Sequence, residues 1–556
     1  MQARRLKTTA VIAAATALAV GLAGCAKSNR DTATTTSGGT FIFAGAGDPK
    51  NFDPIYNDDG ESLRVIRQIY DTLIQNKPGT ADLQPALATS WDHDSTGKVW
   101  TFHLRSGVKF IDGTDFNAAA VCFNFDRWYN MKGAAAQSVM SYYSDVFEGF
   151  AKNETPDLGD PVYHDCKASD AGTAVITLNK FKGAFPGAFT LASFSISSPA
   201  ALAKYNADTV TAAGDAFTYN DYAEKNPTGT GPFKFSGWDK STDQITLVRN
   251  DAYWGDKPKV DKVIIKVIKD ANGRKQELKS GTVDAIDYPT PADTKELSTG
   301  GFNVLTRPAF NILYMGLNQK SNPKLADLRV RQAIAYGINR QQIADTIGPL
   351  GTKVADEFLP PAVAGYADDV QKYAYDPAKA KQLLADAGAT GLTLQFYYPS
   401  DVSRPYMPDP KAIFEAISND LKTIGVTVVG TARPWNGGYK TDVQQAGKPD
   451  AHILGWTGDY NDAGNFVATF FGRGKPDFGD QGMSEMFAAI ADANSKVDDA
   501  AKKTAWQQVN RDIASKYLPA VPLWYAPPSL VATKKVSGLV PSPLTDERFN
   551  TVSVTK

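Results

Sequence analysis

A basic start, Arg4-Arg5-Leu6-Lys7, runs into the apolar stretch Val11 to Leu22 and stops at Leu22-Ala23-Gly24-Cys25. The stretch is about a dozen residues long where a bilayer-spanning helix needs ~20, so it reads as the core of a secretion signal, residues 1–24. No later segment is apolar enough to cross a membrane, and the remaining chain therefore has to fold outside the cell. Its length suggests two or three domains at about 150 residues each. The composition, 42% hydrophobic with 11% aromatic, supplies enough for large cores. Lys and Arg total 59 against 60 Asp and Glu, and no basic block follows the signal. Nucleic acid and anionic membrane surfaces are therefore poor candidate partners.

Small residues at Ala23 and Gly24 fit an extended chain into a narrow peptidase cleft, and Cys25 then offers a thiol that can carry a diacylglycerol. The segment resembles the lipobox of bacterial lipoproteins; an ordinary signal peptide with an incidental cysteine is the plainer reading. Residues 25–39 read as the lipidated Cys25 followed by a flexible tether, Ala26 to Gly39, rich in Ser, Thr and Ala. With Cys25 lipidated, Cys122 and Cys166 remain as a pair in an oxidising compartment, where a disulfide is expected and two separate buried thiols are the alternative.

Metal chemistry finds little support. The two cysteines are far apart and short of nearby histidines, which argues against zinc. His93, His103, His164 and His452 are scattered without ligand spacing, and only His452 falls near the later motifs. Asn57-Asp58-Asp59-Gly60 suggests a calcium loop, but the pattern requires acidic residues where Ile55 and Ile66 stand. There is no nucleophile elbow, phosphate loop or HExxH helix, and no cofactor is expected.

The pattern of elements is α/β with mixed sheets. Thr40-Phe41-Ile42-Phe43-Ala44 is a strand broken by Gly45-Ala46-Gly47, and a helix follows from Glu61 to Leu73. Val99 to Arg105, Val175 to Leu178, Ile245 to Arg249 and Val263 to Ile268 alternate as strands. Beyond Leu313 long helices interleave with strands: Val330 to Ile338, Pro377 to Ala387, Leu392 to Tyr398, Pro410 to Ile424 and Ala451 to Trp456.

Certain segments carry a resemblance: Asn51-Phe52-Asp53-Pro54, Leu83-Gln84-Pro85-Ala86-Leu87-Ala88, Arg105-Ser106-Gly107-Val108, Gly229-Thr230-Gly231-Pro232-Phe233, Tyr253-Trp254 and Leu328-Arg329-Val330-Arg331-Gln332-Ala333. In that order the chain resembles the extracytoplasmic solute-binding proteins of peptide and nickel ABC importers, family 5. The resemblance implies a two-lobed clamp of the periplasmic-binding-protein type. Lobe I would comprise 40–82, 192–300 and 520–556, the extra domain of the peptide-binding class 83–191, and lobe II 301–519, with hinge closure on a ligand. It further implies a monomer that docks on ABC permease subunits and meets the membrane through its lipid anchor alone.

Two motifs resemble the dipeptide binders most: Ser403-Arg404-Pro405-Tyr406-Met407-Pro408 and Gly455-Trp456-Thr457-Gly458-Asp459-Tyr460. By that resemblance Arg404 takes the carboxylate of a small peptide and Asp459 its ammonium, a pairing suited to a buried zwitterion. Tyr406 and Trp456 are candidate pocket walls, and the strand end Ala44-Gly45 is placed to offer backbone groups. A proline often found after this aspartate is replaced by Asp462-Ala463-Gly464-Asn465-Phe466, so the loop there departs from the pattern. Other solutes, such as chelated nickel, haem or a short oligosaccharide, are the alternative within the family. An extracytoplasmic hydrolase or degenerate scaffold is the alternative outside it.

Overall fold

The computed structural model describes residues 38–155, 158–213, 216–472, 474–479 and 482–555. The signal (1–24), Cys25 and nearly all of the tether lie outside the described residues. Three sheets organise the rest. The first has seven strands, in the order Phe233–Asp239, Gln244–Arg249, Lys262–Val267, Thr40–Gly45, Ala285–Asp287, Ser529–Ala532 and Asn303–Thr306. Thr40–Gly45 runs parallel to both its neighbours. Phe41, Phe43 and Ala44 are fully buried, as a central strand covered on both faces requires.

The second sheet orders Lys353–Val354, Ala520–Tyr525, Asn311–Leu317, Ala451–Thr457, Thr393–Pro399 and Thr427–Arg433. All seven residues of Asn311–Leu317 are buried, so the strand reads as a continuous apolar run. Helices Pro377–Asp386 and Pro410–Thr423 each begin with proline at the first turn and an aspartate cap. Asp376 accepts from the Lys379 N–H and Asp409 from the Ala412 N–H, which satisfies backbone donors the helix leaves open.

The third sheet is antiparallel, ordered Ala88–His93, Val99–Leu104, Thr173–Leu178 and Tyr163–Asp170. Val99–Leu104 alternates, with Trp100, Phe102 and Leu104 inward. Helix Ala118–Tyr129 packs against it, and a disulfide joins Cys122 on that helix to Cys166 on the edge strand, with Cα atoms 5.2 Å apart. The core here is aromatic, but it also takes in Ile55, Tyr56, Leu73 and Ile74. The segment 83–191 therefore shares its core with residues on its N-terminal side.

Two expected boundaries differ from the strand pairing. Asn303–Thr306, placed beyond the 300/301 division, hydrogen-bonds to Ser529–Ala532 in the first sheet. Ala520–Tyr525, placed in the first lobe, pairs with Asn311–Leu317 in the second. The chain thus passes between the sheets at 307–310 and returns at 526–528. These connections lie side by side: the Arg307 N–H donates to the Pro528 carbonyl at 2.8 Å, and the Asn311 side-chain amide exchanges hydrogen bonds with the Ala526 backbone at 2.7 and 2.9 Å.

A buried ion cluster sits at their foot. Arg307 grips Asp287 (2.7 and 3.2 Å) and Glu547 (2.6 and 3.1 Å), and Arg64 adds a further bond to Asp287. Burial alone would push the Asp287 carboxyl up, but Arg307 and Arg64 more than reverse this and hold it well below the usual carboxylate range.

The first helix is shorter than its periodicity predicts, Gly60–Ile69 rather than 61–73. The Gly231 N–H donates to the Ile69 carbonyl at 2.8 Å, and a Cβ on Gly231 would lie 2.4 Å from the Ile69 carbonyl carbon. The glycine segment 229–231 packs across the helix end and terminates it.

Candidate functional site

Strand Ala451–Thr457 leads into Gly458-Asp459. Two glycines make this approach possible: a Cβ on Gly455 would come within 2.3 Å of the Ile312 carbonyl, and one on Gly458 within 2.4 Å of the Phe310 ring. Asp459 is then fixed by Asn465, on the first turn of helix Ala463–Phe471. The Asp459 N–H donates to Asn465 Oδ1 at 2.8 Å, and Asn465 Nδ2 donates to Asp459 Oδ2 at 3.0 Å. Tyr142, on helix Ser141–Phe147 beside the third sheet, donates its hydroxyl to Asp459 Oδ1 at 2.6 Å. Burial pushes the Asp459 carboxyl up to about 6; the hydrogen bonds from Tyr142 and Asn465 oppose the shift, and the like charges of Asp145 and Asp58 add to it.

Asp459 and Trp456 line a cavity of about 1160 Å³ between residues 142–184 and 456–495. Trp456 donates its indole N–H to Asn465 Oδ1 at 3.3 Å and meets Phe470 edge-on, so it forms part of the wall. Lys502 spans the same gap, bonding Asp462 and the Gly183 carbonyl.

Arg404 lies on the loop after strand Thr393–Pro399. A tight turn holds it, with reciprocal 2.9 Å backbone bonds between Arg404 and Met407, and Met407 is fully buried. The guanidinium sits 4.6 Å from the Trp435 ring centroid, and its buried Nε has no hydrogen-bond partner. Lys440 Nζ lies 5.7 Å from the same ring. The Lys440 ammonium is shifted down by burial, then by Arg404, with Asp58 acting the other way. Asp58 thus acts electrostatically on both Lys440 and Asp459. Asp58 itself is held by Lys50 at 2.6 Å and Ser141 at 2.7 Å.

Other residues expected at a site lie elsewhere. Tyr406 is 6% exposed and belongs to the core of the second sheet, where burial pushes its hydroxyl up to about 12; its ring fills the space that Gly455 leaves open. Ala44 and Gly45 are buried in the first sheet, and the Gly45 carbonyl already accepts from the Ile268 N–H at 3.0 Å. Neither borders the cavity. His452 is wholly buried, its imidazole driven down to about 3 by burial, so it is neutral at physiological pH. Among the described residues no cluster of three or more His, Cys, Asp or Glu side chains has the arrangement of a metal site, and no helix is long and apolar enough to cross a membrane.

Tyr142, Asn465, Trp435 and Lys440 were not singled out by sequence reasoning. Asn465 lies within the segment that departs from the expected loop, which is a signal; Tyr142 carries none.

Comparison with known proteins agrees with this architecture. Residues 82–478 match the bacterial extracellular solute-binding proteins, family 5, in their middle region. The chain is 31% identical over 571 residues to heme-binding protein A of Haemophilus influenzae, covering 99% of each. It is 30% identical over 527 residues to the dipeptide-binding protein of Escherichia coli, covering 93% of this chain and 94% of that one. Among solved structures, the ABC transporter-associated periplasmic binding protein DppA of Helicobacter pylori, in complex with the peptide STSA, superposes with a TM-score of 0.71 at 27% identity, over 93% of this chain and 98% of that one. With a mixed α/β clamp, paired crossovers between its sheets and a match over most of its length, the chain belongs to the bacterial extracellular solute-binding proteins, family 5.

Proposed function

We propose that this chain is the solute receptor of an ABC importer, that it captures dipeptides or short peptides between two lobes built on the first and second sheets, and that it hands them to the permease without catalysing any reaction. Its place of work is the outer face of the cell membrane, where Cys25 holds it by a lipid anchor as a monomer. The observation that supports the reading is that the chain holds both one fixed carboxylate, Asp459, at a cavity wall and a guanidinium, Arg404, that has no ion-pair partner among the described residues. A peptide zwitterion supplies the complement to both, its ammonium to Asp459 and its carboxylate to Arg404. Relatives named for dipeptides support the same class of solute.

A thermal-shift panel of dipeptides, longer peptides, haem, chelated nickel and oligosaccharides tests it. Dipeptide at about 100 times its dissociation constant adds ~2.7 kcal/mol of apparent stability, and Asp459→Ala and Arg404→Ala each abolish that shift. A panel in which haem raises the melting temperature and no peptide does would replace the peptide reading with that of the haem-named relative.

A further inference from the structure

Two cations share one aromatic ring at the Arg404 corner. Arg404 Cζ is 4.6 Å and Lys440 Nζ 5.7 Å from the Trp435 centroid. Trp435 is itself fixed, stacked on Tyr439 at 5.8 Å, with its backbone N–H donating to Asp401 at 2.6 Å. Like charges this close repel, and the repulsion is part of what holds the Lys440 ammonium below its ordinary value.

The other basic groups of the same stretch are neutralised: Asp442 takes both Arg433 at 3.0 Å and Lys448. Lys50, which also acts on Lys440, is held by Asp58. Among the described residues no carboxylate forms an ion pair with Arg404 or Lys440. The cation–π contact with Trp435 favours each cation but supplies no counter-charge, and Asp58, which acts on Lys440 from a distance, is already engaged by Lys50 and Ser141. One peptide carboxylate pairs with one of the two cations and leaves the other without an ion-pair partner.

From this geometry we infer that Arg404 and Lys440 together form a two-cation seat, and that the favoured solutes are peptides whose C-terminal residue is Asp or Glu. Arg404 takes the main-chain carboxylate and Lys440 the side-chain carboxylate. The inference rests on the peptide reading given above and narrows it to acidic C-termini.

The test is calorimetric titration of the whole extracytoplasmic chain with Ala-Glu and its neutral isostere Ala-Gln. Wild type binds Ala-Glu about tenfold or more tightly than Ala-Gln, and the difference shrinks as salt is raised. Lys440→Met costs Ala-Glu about tenfold more than it costs Ala-Gln, and Lys440→Glu reverses the order of the two and favours Ala-Lys. Equal affinities in wild type overturn the two-cation seat and leave the peptide reading standing. Equal losses for both ligands in Lys440→Met also overturn it, because Lys440 would then share the main-chain carboxylate. Binding of neither dipeptide, nor of any other peptide in the panel, overturns the peptide reading and this inference together.

Discussion

A carboxyl raised to about 6 by burial, as Asp459 is, behaves differently before and after a cation arrives. In the ligand-free state it holds a proton more tightly than in the unfolded chain, so its contribution to stability is full below the unfolded value and is lost as pH rises through 6. An ammonium docked on it favours the charged form and drives the pKa down, so binding below pH 6 must expel a proton. Peptide affinity is therefore expected to be level near about pH 7 to 7.5, below the loss of the peptide's own α-amino proton at about pH 8, and to fall toward tenfold per unit as pH drops through 6. Titrations between pH 5 and 7.5 check this, with Asp459→Asn losing the slope along with most of the affinity. A slope of the opposite sign would mean that Asp459 does not meet a cation.

At the scale of elements, the disulfide joins the helix Ala118–Tyr129 to an edge strand across a sequence separation of 44. Closing a loop of that length in the unfolded chain is worth about 4 kcal/mol in the chain-entropy account. Cys122→Ser with Cys166→Ser is expected to lower the melting temperature clearly while leaving peptide affinity nearly unchanged, because neither cysteine borders the site; calorimetry and titration of the same variant read both. The same elements show how far sequence reasoning reaches. The strand Thr393–Pro399, the mostly buried run of Ala451–Thr457 and the helices opened by Asp376-Pro377 and Asp409-Pro410 were legible because alternation, apolar runs and capping are local. Strand pairing is not local, so nothing near residue 300 announces that Asn303–Thr306 still pairs with Ser529–Ala532.

The motifs that carried the resemblance are largely scaffold. Asp53 pairs with Arg127 at 2.8 Å, the Trp254 indole donates to Asp71 at 2.8 Å, and Arg331 donates to the carbonyls of Leu325 and Tyr517. They mark the fold more than the solute. Of the candidate site residues, Asp459, Trp456 and Arg404 face open space or unanswered charge, whereas Tyr406, Ala44 and Gly45 are packed away. Which aromatic side chain of Tyr406-Met407 or Trp435 meets the guanidinium depends on a contact between separate loops, and residue patterns do not encode it.

For the whole molecule, the paired connections at 307–310 and 526–528 join the first sheet to the second. Arg307 stands on one of the two connections and is fully buried with its partners Asp287 and Glu547. Replacing it by Ala leaves two buried carboxylates with Arg64 as their one remaining ion-pair partner among the described residues, and an expected loss of about 3–5 kcal/mol follows, measured as a lower urea midpoint. Arg307→Lys recovers little of this, since an ammonium cannot form the paired bonds that the planar guanidinium makes with both acids.

The contacts of Tyr142 with Asp459, and of Lys502 with Asp462 and the Gly183 carbonyl, join the segment around 142–184 to the segment around 459–502. Tyr142 and Asp459 stand 317 positions apart in sequence, and Lys502 and Gly183 319. The wall of the cavity is therefore assembled by tertiary folding alone, and it exists only while both segments are folded against one another.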